Sequence, residues 1–235
     1  MKRFWHSATL LEQDGAYTVA LDGKPMRVPG GPALRLHRRA LAEAVAAEWQ
    51  HAGGAVGGTM TLEEVPLTRL AGTAQERITA NRAAAAAALT TYAEHDLLCH
   101  RVVAPEALAV KQHHAWQPWL DWAATTYGAK LELRYSLMPN PQPAEPLARL
   151  HEAVAQYDAF TLAGLGILVP AYGSLVLGLA VATGKLPALQ ALEISQLEEL
   201  FQELQWGEDA EATARRLNVA ADVESAARFI TLAAA

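Results

Sequence analysis

Cysteine is almost missing from this 235-residue chain. Cys99 is the only one, so no internal disulfide can form and the core must hold by packing and hydrogen bonding. Charge is also scarce: Asp, Glu, Lys and Arg make up 19%, against about 25% in an average soluble domain. The balance is a net −6, which argues against a nucleic-acid binder, because such proteins carry a basic face. No run of like charge is long enough to form an acidic or basic tail. The opening Met1-Lys2-Arg3-Phe4-Trp5-His6-Ser7 has no apolar stretch of signal-peptide length, since Glu12 and Asp14 follow too soon, and it is no Arg-rich, acid-poor leader. These absences point to the cytoplasm as the compartment.

What is plentiful is apolar material. Hydrophobic residues account for 51%, ample for one large domain or two small ones. Between Asp158 and Lys185 no residue is charged, and a hydropathy window alone would flag a membrane span. Pro170 sits within that stretch, with Gly164, Gly166, Gly173 and Gly178 around it. The expected reading is two buried helices broken near Pro170, each about half the roughly 20 residues a span needs.

The first quarter reads as β. Thr9 and Leu11, then Tyr17, Val19 and Leu21, then Met26 and Val28 alternate with polar or small residues. Asp14-Gly15 and Asp22-Gly23 separate the runs, and Asp-Gly is a strong hairpin signal because a type I′ turn needs positive φ at both central residues. Pro29-Gly30-Gly31-Pro32 breaks the pattern, after which residues 33–36 suit a fourth short strand. A helix from about Arg38 carries Leu41, Val45 and Trp49 on one stripe. Gly53, Gly54, Gly57 and Gly58 then form a loop. The fold class expected is α+β: a small β-rich N-terminal domain over 1–58, made of an antiparallel meander plus a helix, then a larger all-helical domain over 59–235.

In the second domain, residues 83–88 are six alanines, the best helix formers. Residues 105–127 are largely helical with a break or kink at Pro118 and a cap at Gly128. Residues 131–137 read as a short strand or an extended connector. Pro139, Pro141, Pro143 and Pro146 precede a helix over 147–157. A last amphipathic helix spans about 189–206, and residues 210–216 start another.

Several motifs read better as structure than as chemistry. His95, Cys99 and His100 have ligand-like spacing, but tetrahedral zinc needs three or four ligands and no second cysteine exists; a buried thiol beside two ordinary histidines is the expectation, with no metal and no cofactor. Trp116, Trp119 and Trp122 recur at helical spacing and read as core. The paired glycines near 53–58 lack the lysine of a phosphate loop. Ser174 is flanked by Tyr172 and Val176 where a nucleophile elbow needs glycine. No pair of carboxylates is set apart for acid–base work, so the chain does not read as an enzyme.

The feature with most surface character ends the last amphipathic helix. At about 100° per residue, Leu197, Leu200, Phe201 and Leu204 share one side, while Glu199, Glu203 and Trp206 fall on or near the other. A tryptophan among acids suits partner contact; alternatively, Gly207 ends the helix and lets Trp206 fold back into the core. Glu208 and Asp209 extend the acidic patch.

Eight segments in order resemble a known family. They are Arg3-Phe4-Trp5, Leu21-Asp22-Gly23-Lys24-Pro25, Ala47-Glu48-Trp49, Pro66-Leu67-Thr68-Arg69-Leu70 and Asp96-Leu97-Leu98-Cys99-His100-Arg101. Then come Trp116-Gln117-Pro118-Trp119-Leu120-Asp121-Trp122 with Tyr127-Gly128, Gly173-Ser174-Leu175-Val176-Leu177, and Leu197-Glu198-Glu199 leading to Trp206-Gly207-Glu208. Together they are similar to the assembly chaperones that bind the alpha subunit of the ATP synthase head. The resemblance implies a β-rich N-terminal domain, a helical C-terminal domain, and a nucleotide-independent holder that keeps the alpha subunit from aggregating until beta subunits replace it. It implies functionally important acids in the segment around Glu199, Glu203 and Glu208; with Trp206 from the helix-face reading, these are the partner-binding candidates. The match starts at residue 3, which suggests a bacterial cytoplasmic member. His100 departs from the family pattern, which favours an aromatic there, and this further disfavours a metal. A monomer is the simplest form for such a holder, and no stable membrane insertion is expected. The rivals are an enzyme whose site lies between domains and a peripheral membrane protein using residues 159–184.

Overall fold

The computed structural model describes residues 1–27, 32–136 and 140–235; the expectations for Val28, for Pro29-Gly30-Gly31, and for Leu137 and Pro139 lie outside these. The chain forms two compact units. Unit 1 comprises 1–82, 158–164 and 228–235; unit 2 comprises 83–157 and 165–227.

Unit 1 is built on a three-stranded antiparallel meander, β1 (Ala8–Gln13), β2 (Ala16–Leu21) and β3 (Lys24–Pro25). Both hairpins have two-residue loops with positive φ throughout: 51° and 69° at Asp14 and Gly15, 48° and 79° at Asp22 and Gly23. This is the backbone twist that lets right-handed strands close on each other. In β1, Leu10 is half-buried and Leu11 is exposed, the reverse of the expected alternation. Leu10 lies opposite the buried Val19, and residues facing each other across an antiparallel pair share a face. The fourth strand is reduced to isolated bridges, Arg27 with Ala33 and Tyr17 with Leu36.

Helix α1 (Arg39–His51) buries Leu41, Val45 and Trp49 as the stripe predicts. The Trp49 indole donates to Thr68 Oγ1 at 3.0 Å and the Trp5 indole donates to the Trp49 carbonyl at 2.8 Å. Glu48 reaches from α1 to helix α2 (Pro66–Thr73), where its carboxylate accepts from the Leu67 and Thr68 amides at 2.6 and 3.0 Å. Those amides have no partner within their own helix, so a carboxylate there satisfies them and complements the helix dipole. Burial pushes the Glu48 pKa up, and the same hydrogen bonds oppose that rise. Arg3, nearly buried, donates to the carbonyls of Trp5 and Ala52 at 3.1 and 3.4 Å and to that of Gly54.

Beyond α2 the chain widens into a π-helical turn and then tightens through a 3-10 turn into α3 (Arg82–Glu94), the alanine-rich helix. Helix α4 (Glu106–Tyr127) runs through Pro118 without a break and ends at Gly128. Of its three tryptophans only Trp116 is fully buried; its indole donates to the Ile194 carbonyl at 2.8 Å. Trp119 and Trp122 are half-buried, stacked edge-on with centroids 6.3 Å apart, and Trp122 meets Tyr127 at 5.4 Å. The expected core stripe is thus one core residue and an aromatic ladder, because residues three apart drift around the helix. Residues 131–136 are an extended connector, tied to the preceding chain by one bridge between His100 and Arg134. Helix α5 is Ala144–Ala155.

The uncharged stretch folds as α6 (Ala159–Tyr172) and α7 (Leu175–Ala182). The break falls at Gly173-Ser174, not at Pro170, which is accommodated near the end of α6. Gly173 takes a left-handed φ of 60° and Ser174 caps α7, its hydroxyl accepting from the Leu177 amide at 3.1 Å. Among the described residues no helix is long and apolar enough to cross a membrane.

Candidate functional site

The predicted single helix over 189–206 is two: α8 (Ala188–Ser195) and α9 (Leu197–Trp206). Ser195 returns its hydroxyl to the Leu192 carbonyl at 2.8 Å, a local bond that competes with helix continuation. Gly207 ends α9 at φ 92°, and Asp209 starts α10 (Ala210–Ala234) by accepting from the Glu211 amide at 2.8 Å. The result is two helices joined by a short turn at one edge of unit 2, with Arg216 of α10 reaching back to Glu203 of α9.

Helix α9 has no buried residue, although its sequence carries a full apolar stripe. Leu197, Leu200, Phe201 and Leu204 form one wall of a groove of about 470 Å³; Lys111, His114 and Ala115 of α4 and Glu193 of α8 form the rest. Leu204 is 81% exposed. On the other side of α9, Glu199, Gln202, Glu203 and Trp206 meet Ala212 and Arg215 of α10 around a depression of about 270 Å³. Trp206 is 77% exposed, so it does not fold back into the core. Leu217 on α10 is exposed as well.

All four residues singled out in the sequence gather at this edge, but they differ in freedom. Glu203 forms an ion pair with Arg216, and both side chains are mostly covered. Arg216 also donates to Thr213 Oγ1 at 3.0 Å. The bond to Glu203 raises the Arg216 pKa, and attraction from Glu199 and Glu208 adds to it. Glu199 and Glu208 themselves face solvent, and among the described residues neither is in a salt bridge. Glu198 is held by the buried Gln112, whose amide donates to it while Gln112 Oε1 accepts from the Val102 amide at 2.9 Å. Arg216 was not legible as a site residue. The signal for it is the Gly207 turn followed by the Asp209 cap, which folds the start of α10 onto the end of α9.

The other sequence candidates have structural duties. Asp96 is fully buried and accepts from Ser174 Oγ at 2.8 Å, from the Leu98 amide at 3.1 Å and from the Val176 amide at 3.1 Å. It therefore joins Ser174 in capping α7. Cys99 is buried, and desolvation followed by repulsion from Asp96 pushes its thiol to about 12. His95 and Cys99 do not share a helix, because α3 ends at Glu94 and Cys99 lies in a 3-10 turn. The His95 ring instead meets Arg134 Nη1 at 3.3 Å. Among the described residues no group of three or more His, Cys, Asp or Glu is placed to hold a metal.

Comparison with known proteins gives the family. A family model described as ATP12 chaperone protein matches residues 2–124. The crystal structure of Atp12 from Paracoccus denitrificans is 40% identical, with a TM-score of 0.92 over 99% of this chain and 98% of that one. A point mutant of the same Paracoccus protein matches equally, at 40% identity and TM-score 0.92, over 99% of this chain and 97% of that one. The Atu1473 protein of Agrobacterium tumefaciens is 33% identical, with a TM-score of 0.91 over 98% of this chain and 85% of that one. By family match and by near-complete structural correspondence at these identities, the chain belongs to the ATP12 chaperone family.

Proposed function

We propose that this protein is an assembly chaperone that binds the unassembled alpha subunit of the ATP synthase head and prevents its aggregation until beta subunits take its place. A lone subunit of a ring exposes apolar surface meant for its neighbour, and such surface drives aggregation. The observation that carries the reading is the end of α9 in a chain of the ATP12 chaperone family: Trp206 stands exposed on the side that carries the solvent-facing Glu199, and Leu204 stands exposed on the opposite, groove side. Exposed aromatic and aliphatic side chains with charged groups close by suit an exchangeable protein interface.

Glu199, Glu208 and Trp206 are the contact residues in this proposal; Glu203 holds the helix pair that presents them. Release is by competition. In this reading the protein makes no chemical change: the buried Asp96 and the half-buried Glu48 are engaged with helix N-termini and the Cys99 thiol stays protonated. The working compartment in this reading is the cytoplasm.

The test is co-elution on a sizing column with separately produced alpha subunit, with beta subunit as control. A complex with alpha and none with beta is expected. Binding to neither, or to both alike, would remove the client assignment.

A further inference from the structure

Unit 1 carries a cavity lined entirely by its own residues. Its volume is about 610 Å³, within the range of sites that take a ligand or an anchoring side chain. The floor is apolar: Met26, Trp49, Met60 and Val65 line it, each less than a tenth exposed. With Met1 at the mouth, three of the chain's four methionines meet here. Methionine is flexible and polarizable, and it recurs at surfaces that accept varied partners.

The rim has the opposite sign to the molecule. Arg27, Arg69 and Arg77 surround the mouth with Glu76 as the single acid, in a chain of net charge −6. All three arginines are exposed, and among the described residues none is in a salt bridge. Leu62, 58% exposed, adds an apolar lip. Arg69 and Arg77 are eight residues apart along continuous helical chain, roughly 12 Å at 1.5 Å per residue. Cations spread over that length suit several carboxylates along a peptide better than the single headgroup of a fatty acid.

We propose that this cavity is a second polypeptide-binding site, which takes a segment pairing a bulky apolar side chain with flanking carboxylates. The apolar side chain enters the methionine-lined floor and the carboxylates meet the arginines at the rim. The class of occupant, a polypeptide, rests on the chaperone reading; the alpha subunit as client does not enter.

The test uses the whole protein and a fluorescein-labelled synthetic peptide of about twelve residues alternating leucine and glutamate, read by fluorescence anisotropy. Two control peptides replace every glutamate by lysine or every leucine by serine. The acidic apolar peptide is expected to bind, more weakly as salt rises, and both controls to fail. Arg69→Glu with Arg77→Glu should weaken binding roughly tenfold or more with the thermal midpoint unchanged, and Arg69→Lys with Arg77→Lys should restore it. Thr73→Trp, which blocks the mouth without touching charge, should weaken it independently. Equal binding of the lysine peptide, or unchanged binding in both the charge-reversed and the blocked variants, overturns the proposal. Dodecanoate that binds where the peptide does not would also overturn it, by making the site one for a small amphiphile. Because the probe is synthetic, peptide binding without an alpha-subunit complex would keep this site and remove the client, and the reverse result would remove this site alone.

Discussion

Replacing Asp96 by asparagine should change how stability depends on pH, and the sign follows from the structure. Asp96 is fully buried, and desolvation raises its pKa from 3.8 to about 6 against the pull of its donors at Ser174, Val176 and Leu98. A group whose folded pKa is raised gives stability that is complete below the unfolded pKa and is lost as pH rises through the folded one. The window therefore runs from about pH 4 to just above pH 6. At 1.36 kcal/mol for each tenfold change in proton affinity, the loss across it is roughly 3 kcal/mol. An asparagine side chain does not titrate, so the stability difference between wild type and Asp96→Asn should move by that amount in the variant's favour between about pH 4 and about pH 7. In thermal melts followed by circular dichroism this is roughly 6–12 °C for a chain of this size. A constant difference across the window would refute the reasoning, because it would mean that the three donors hold the carboxylate at its ordinary acidity despite burial.

Other outcomes follow from particular contacts. A Cβ on Gly178 would lie 2.5 Å from Val169 Cγ2; the β-branched valine cannot swing away, so Gly178→Ala should lower stability by about 1–3 kcal/mol in denaturant titrations. Glu203→Lys sets a second cation against Arg216 and should lower the thermal midpoint by roughly 2–4 °C, with rescue by the additional change Arg216→Glu. By contrast, Glu208→Lys and Trp206→Ser alter solvent-facing groups and should leave the midpoint nearly unchanged while weakening alpha-subunit retention on a sizing column. The Cys99 thiol, buried and protonated, should resist a thiol-specific reagent in the native protein and react once denaturant is added.

The sequence showed most of the scaffold because its signals were local. The two Asp-Gly turns demanded positive φ and so set the hairpins, and Leu41, Val45 and Trp49 set the buried face of α1. The family segments prove to be largely structural ties: Glu48 with Leu67 and Thr68, Trp5 with Trp49, Asp96 with Ser174 and Val176. Their pairings were not legible, because each joins residues from 19 to 80 apart along the chain. For the same reason nothing local announced that the chain's last residues return to unit 1, where Phe229 stacks on Phe160 at 5.9 Å and Arg38 donates to the Ala233 carbonyl at 3.3 Å. Glu199, Glu203 and Trp206 of the candidate site were legible from helical periodicity, and Glu208 from the acidic run that follows. Their unequal freedom was not, since Glu203 is occupied by Arg216 from the following helix. The cavity of unit 1 left no trace in the sequence, because Met26, Met60 and the arginines come from separate elements.

The central claim is tested most directly by light scattering of alpha subunit diluted from denaturant. With an equimolar amount of this protein, scattering should be suppressed; with Glu208→Lys/Trp206→Ser it should return, and scattering by beta subunit should be unaffected throughout. Alpha subunit that aggregates as fast with the wild-type protein as without it would contradict the account.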